Sequence, residues 1–245
     1  MWHKPRLMLA AADLLWIAGG VMLGLAAFHA VMRLPILPIR HVVVANELIE
    51  VQRADVEQAI SGLRGNLISV SIDGVRAALE KLAWVRRAEV RRRWPGTLEL
   101  TLHEHQPVAR WGESTQQLVN AQGEVFYATG SSRVAHLPVF GGPLGSSAEI
   151  LARYAQIRDL ITPTGRIARQ VVLTPRLAWQ VRLDDGMALE LGREQAKSPI
   201  RDRLARFVEV YALAVEARQP RPQVVDLRYP NGFVLRAALA GQGNT

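Results

Sequence analysis

The side chains that could do chemistry are few and scattered along 245 residues. His103 and His105 stand two apart in a strand-like segment, so they would share a face and could chelate a metal ion. No third ligand lies near them in the sequence, and an open polar face is the expected reading. Asp184 and Asp185 precede Gly186, where acidic residues serve the turn itself. Five arginines, Arg86, Arg87, Arg91, Arg92 and Arg93, crowd one short stretch and could hold phosphate on lipid or nucleic acid. Trp94 alone is interleaved as a stacking surface, which argues against single-stranded nucleic acid. A solvent-facing strand edge charged against aggregation explains the same arginines and is the expectation, with lipid proximity next.

There is no cysteine, which removes disulfides, thiolate nucleophiles, zinc–cysteine sites and thiolate-bound iron–sulfur clusters. The chain also lacks G-x-S-x-G, S-x-x-K, H-E-x-x-H and the glycine patterns of phosphate and dinucleotide loops. No enzymatic activity, metal or cofactor is expected. What remains is main-chain chemistry. Residues 233–239, if they end a sheet, offer unpaired N–H and C=O groups with Arg236 as the one edge-protecting charge. Such an edge can accept a strand from another protein. Coverage by the tail, or internal pairing, is the alternative, and the pattern leaves both open.

These groups are carried by a short apolar segment and a long globular one. Residues 14–30 hold no charged side chain, and at about 1.5 Å per residue they cover most of a ~30 Å hydrocarbon core. The apolar run outlasts the core of a signal peptide, so an uncleaved transmembrane helix over 14–32 is expected after a basic tip, 1–13. Lys4 and Arg6 before it and Arg33 and Arg40 after it leave its orientation undecided. Residues 33–38, with two prolines, read as a stiff connector. With 49% apolar and 21% charged residues, the rest has globular character, and the net charge of +8 reads as a solvated basic surface.

Residues 39–107 follow the order β-α-α-β-β: a strand at 39–44, a helix at 53–63, a helix capped by Asp73, and strands at 85–92 and 97–104. The second helix carries the stripe Val75, Ala78, Leu79 and Leu82; the last strand alternates Leu98, Leu100 and Leu102 with polar residues. Residues 108–240 read as strands at 108–111, 117–120, 125–127, 168–173, 178–183, 187–191, 224–229 and 233–237, with 137–140 running into a loop. Two helices interrupt them. Ser146 and Glu149 form a capping box for the first, and Ser198 caps the second. On the second helix Ile200, Leu204, Phe207, Val208, Tyr211 and Val215 make the apolar stripe, with Arg201, Arg203 and Glu209 off it. Residues 241–245 read as a disordered tail. The fold class is α+β.

The run Trp84-Val85-Arg86-Arg87-Ala88-Glu89-Val90-Arg91-Arg92-Arg93-Trp94-Pro95-Gly96-Thr97-Leu98, followed by Glu104-His105-Gln106-Pro107-Val108-Ala109-Arg110-Trp111, resembles the FtsQ/DivIB cell-division family. Leu204-Ala205-Arg206-Phe207-Val208 and Val225-Asp226-Leu227-Arg228-Tyr229 resemble it too. The resemblance implies a single transmembrane helix, a small POTRA domain over 39–107 and a mostly antiparallel FtsQ-type β-domain with two helices over 108–240. It implies a non-enzymatic scaffold of the divisome in the inner membrane at the septum, with a cytoplasmic N-terminus and both domains periplasmic. Such a scaffold would bind FtsB, and through it FtsL, along its final strand, and so link early to late division proteins. Other division proteins would be reached through the POTRA domain and the transmembrane helix; no nucleic acid is implied.

Carried onto this chain, the implied contact residues are Arg176, Arg228, Tyr229, Asn231 and Gly232, with the strand residues Phe233, Val234, Leu235 and Arg236. Some family members carry a tryptophan late in the last strand, where this chain has Ala237, so Phe233 or Leu235 is expected to contribute instead. Ala83 stands where a proline often precedes the tryptophan. The runner-up reading is a POTRA-type chaperone or secretion component that receives unfolded β-segments. A membrane-tethered nucleic-acid binder rests on the arginines alone.

Overall fold

The computed structural model describes residues 5–33, 38–62, 66–129 and 134–237. Most of the expected connector, one glycine of the turn at 65–68 and the tail 241–245 lie outside the described residues. Helix α1 (Pro5–Arg33) opens the chain; its stretch Ala12–Ala30 contains no buried residue and is long and apolar enough to cross a membrane. The chain divides into two compact units, Met1–Glu104 and His105–Thr245.

In the first unit β1 (His41–Val44), α2 (Arg53–Ile60), α3 (Ile72–Leu79), β2 (Val85–Arg93) and β3 (Thr97–Glu104) form a three-stranded sheet ordered β1-β3-β2. β1 runs parallel to β3 and β2 antiparallel to it. Alternation places Leu98, Leu100 and Leu102 in the interior with Val56, Val75 and Leu79 of the helices. The cap of α3 differs from expectation: Ser71 accepts from the Gly74 N–H at 3.0 Å, and Asp73 pairs with Arg76. Because the helix starts at Ile72, Asp73 is already inside its first turn, where a carboxylate favours the dipole but cannot cap.

The second unit holds β4 (Pro107–Trp111), β5 (Gln117–Asn120), β6 (Val125–Tyr127), β7 (Val139–Gly141), α4 (Ser147–Ile161), β8 (Ala168–Leu173), β9 (Trp179–Leu183), β10 (Ala188–Gly192), α5 (Ile200–Glu209), β11 (Val224–Asp226) and β12 (Val234–Arg236). They build one sheet ordered β12-β11-β10-β9-β8-β7-β4-β5-β6. The β10–β11, β4–β7 and β7–β8 pairs are parallel and the others antiparallel. Trp179, Val181 and Leu183 of β9 are buried while Gln180 and Arg182 face out. Ile150, Ile157 and Ile161 of α4 and Ile200, Leu204 and Phe207 of α5 join the same core, so the helices cover one face. A π-helical turn over Ala212–Glu216 continues it, with Tyr211 and Val215 buried.

Several local expectations change here. Residues 139–141 form a strand rather than a loop, held by parallel partners on both sides. The Ser146 hydroxyl donates back to the Pro143 carbonyl at 2.7 Å and makes no cap bond. At α5 it is Glu194, not Ser198, that accepts from the first helical N–H, Ile200, at 2.8 Å. His103 and His105 part company as well. β3 ends at Glu104; His103 sits 3.6 Å from Glu89, while His105 bonds Asn120 and stacks on Phe126. Among the described residues no group of three His, Cys, Asp or Glu could hold a metal ion.

Candidate partner-binding edge

Strand directions bring the expected contact residues to one end of the larger sheet. β9 is antiparallel to β8 and β10, β11 is parallel to β10, and β12 returns antiparallel to β11. The β8–β9 tip with Arg176, the end of β10 and the β11–β12 turn therefore share an end. Three strand spacings separate the two tips, about 14 Å. Arg176 is exposed, and its neighbour Leu177 is left-handed at φ 59° and exposed. Tyr229 is 50% exposed, and Asn231 and Gly232 are exposed in the turn.

β12 ends the sheet, and among the described residues no strand pairs with its outer side. Its side chains alternate. Phe233 packs on the core and meets Phe207 edge-on at 5.3 Å between centroids, and Leu235 also packs inward. Val234, 43% exposed, and Arg236 face the helix-free side. The main chain alternates too. Gln223 C=O accepts from Ala188 and Leu227 N–H donates to Glu190, so these groups of the β11 segment address β10, while the Gln223 N–H, just ahead of the strand, donates to Arg236 C=O of β12 at 3.0 Å. Val224 and Asp226 then address β12, where they pair with Arg236 and Val234. It follows that Val234 and Arg236 use their N–H and C=O groups on β11, whereas Leu235 turns its own outward.

Asp226 organises the charges around this strand. Its side chain is fully buried, yet it accepts from Arg228 Nε at 2.8 Å and Nη2, and from Arg236 Nη2 at 3.0 Å. Arg228 also lies 3.6 Å from Glu190 of β10. The Arg228 hydrogen bonds hold the Asp226 carboxyl below its ordinary pKa although burial opposes them, and Asp226 in return raises that of Arg228. Gly192, at φ 70°, lets the Arg228 stem approach: a Cβ there would stand 2.8 Å from Arg228 Cγ.

Sequence reasoning missed what holds the turn from below. Arg203, placed off the apolar stripe, is in fact only 3% exposed. It donates to the carbonyls of Ser198, Leu191, Leu227 and Arg193, and burial lowers its pKa. Arg206, one turn on, donates to Pro230 C=O. The signal was present: 200, 203, 204 and 207 is the i, i+3, i+4, i+7 pattern of a buried helical face. A guanidinium fits that face because four carbonyls at strand and turn ends satisfy it.

Residues 37–105 match the family described as POTRA domain, FtsQ-type, and residues 109–228 match Cell division protein FtsQ/DivIB, C-terminal. The chain belongs to the FtsQ/DivIB family. It is 36% identical over 239 residues to a cell division protein FtsQ of Burkholderia pseudomallei, covering 97% of this chain and 95% of that one. A cell division protein FtsQ of Nitrosospira multiformis is 37% identical over 242 residues, 96% of this chain and 99% of its own length. The part of the first unit that follows α1 is thus the POTRA domain of a cell-division family member, and α1 is the one candidate membrane span among the described residues. The C-terminal family match stops at Arg228, within the edge hairpin, so the geometry of β12 is the main guide to what lies beyond.

Proposed function

We propose that this protein is a non-enzymatic, membrane-anchored scaffold of the divisome that captures a strand of FtsB, and FtsL through it, on the outward edge of β12. α1 crosses the inner membrane with its N-terminus in the cytoplasm, and both domains stand in the periplasm at the septum. Captured backbone groups pair with those of Leu235, Phe233 and Ala237, while Tyr229 and Val234 offer apolar contact. Arg176 and Arg228 meet acidic side chains of the partner. The observation that carries this reading is that, among the described residues, no strand pairs with the outer side of β12, toward which the alternation of the ladder turns the N–H and C=O of Leu235.

The test is a pair of prolines in the full-length chain. Leu235→Pro removes an outward N–H and leaves the β11 pairing intact, so it should abolish binding of the FtsB periplasmic segment without lowering order at Val225. Val234→Pro breaks the bond to Asp226 and should loosen the hairpin itself. A folded Leu235→Pro chain that still binds would sink the edge model.

A further inference from the structure

Arg228 and Arg236 are eight residues apart in sequence, one just past the end of β11 and the other on β12, yet both stand against one buried carboxylate. Both arginine side chains remain about half exposed, at 52% and 51%. Arg228 directs Nε and Nη2 at Asp226, which leaves Nη1 and its open side for another acceptor. Arg236 commits only Nη2 to Asp226. Two long cationic side chains on a small hairpin would otherwise repel each other and sample many rotamers. Here one carboxylate neutralises part of their repulsion and fixes both planes on the helix-free face, beside the outward edge of Leu235.

We infer that Asp226 is the positioning residue of the capture site, pre-setting Arg228 and Arg236 as a paired receptor for one carboxylate of the incoming strand. The inference rests on the strand-capture reading above and adds to it which acid matters and how. An acidic side chain flanking the captured strand fits between the two open guanidinium edges, receiving charge-assisted bonds from donors that are already ordered.

The sign of one substitution separates positioning from plain attraction. Asp226→Asn raises the local charge by one, so attraction alone would tighten binding of an acidic segment. Positioning predicts the opposite: affinity of the full-length chain for the FtsB segment falls about tenfold, the scale of one charge-assisted hydrogen bond. A purely structural role is tested in the Arg228→Ala/Arg236→Ala background. There Asp226→Asn should cost no further affinity, because no guanidiniums remain to be placed. Thermal melting of each variant checks the fold, and Arg236→Ala alone, a surface change, should weaken binding a fewfold even if Asp226→Asn proves unstable. Unchanged or tighter binding by folded Asp226→Asn, or an equal loss in the arginine-free background, would overturn the inference. If the wild-type chain itself does not bind the segment, the strand-capture reading falls and takes this inference with it.

Discussion

β2 closes the POTRA sheet over nine residues, and Arg91 and Arg93 project from it with side chains more than two-thirds exposed. β12 closes the larger sheet over three residues, and its one arginine is drawn back onto Asp226. Both strands end a sheet, yet β2 is lined with solvated charge and β12 carries a single, half-exposed arginine held by Asp226. Arg92 bends over to the Ile68 and Val70 carbonyls, Arg91 meets Glu89, and Arg93 meets Glu99. Arg92 thus spends donors on its own domain while Arg91 and Arg93 stay largely solvated, an arrangement that suits an edge defended by charge against stray pairing. Around β12, Arg228 and Arg236 gather on Asp226, and among the described residues no strand pairs with the backbone beside Leu235. On the strand-capture proposal, the difference is that between a protected edge and an offered one.

Underneath, the edges also differ in support. The β12 hairpin is clamped by the buried Arg203, so Arg203→Met should strike it hardest. Four carbonyls lose their donor, and we expect about 3 kcal/mol of lost stability in the C-terminal domain, read by chemical denaturation. The POTRA transition should stay where it is. Next in size, Val234→Lys gives β12 the kind of outward charge that β2 carries; partner affinity should drop about tenfold with the fold intact. The reciprocal change, Arg87→Val with Arg91→Val, strips the defence from β2. Partner binding should shift less than about twofold, while self-association, followed by sedimentation, should rise.

The smallest effect is on acid stability. Asp226 has a native pKa below its unfolded one, so its contribution is complete above the ordinary carboxylate range and is lost as pH falls through the native value. Melting of the C-terminal domain should therefore hold level from about pH 7 to about pH 5 and fall below about pH 4, and Asp226→Asn should flatten that fall.

Much of the fold was readable because the apolar periods were clean. Leu98, Leu100 and Leu102 announced a half-buried strand, and Val75 with Leu79 a helix lying on it. β7 was not readable, since three residues between Pro138 and Gly142 gain their strand character from distant parallel neighbours. The strand expected over 224–229 stops at Asp226 because the Arg228 N–H turns onto the Asp226 carboxylate at 3.2 Å, an Asx-type turn that competes with the ladder. At the site, Arg228 and Tyr229 were found by motif. Asp226 stood inside the same motif without a role, because burial of a lone acid between Val225 and Leu227 shows only once both arginines are in place. Arg203 was discounted for its charge, and only the four carbonyls explain it.

The central claim is that Leu235 offers its amide outward for a captured strand. Amide hydrogen exchange of the full-length chain, with and without the FtsB periplasmic segment, tests it directly. The amides of Val234 and Arg236 should be protected in both states, and Leu235 should exchange freely alone and become protected on binding. Binding that leaves Leu235 unprotected, or that protects β2 instead, would contradict it.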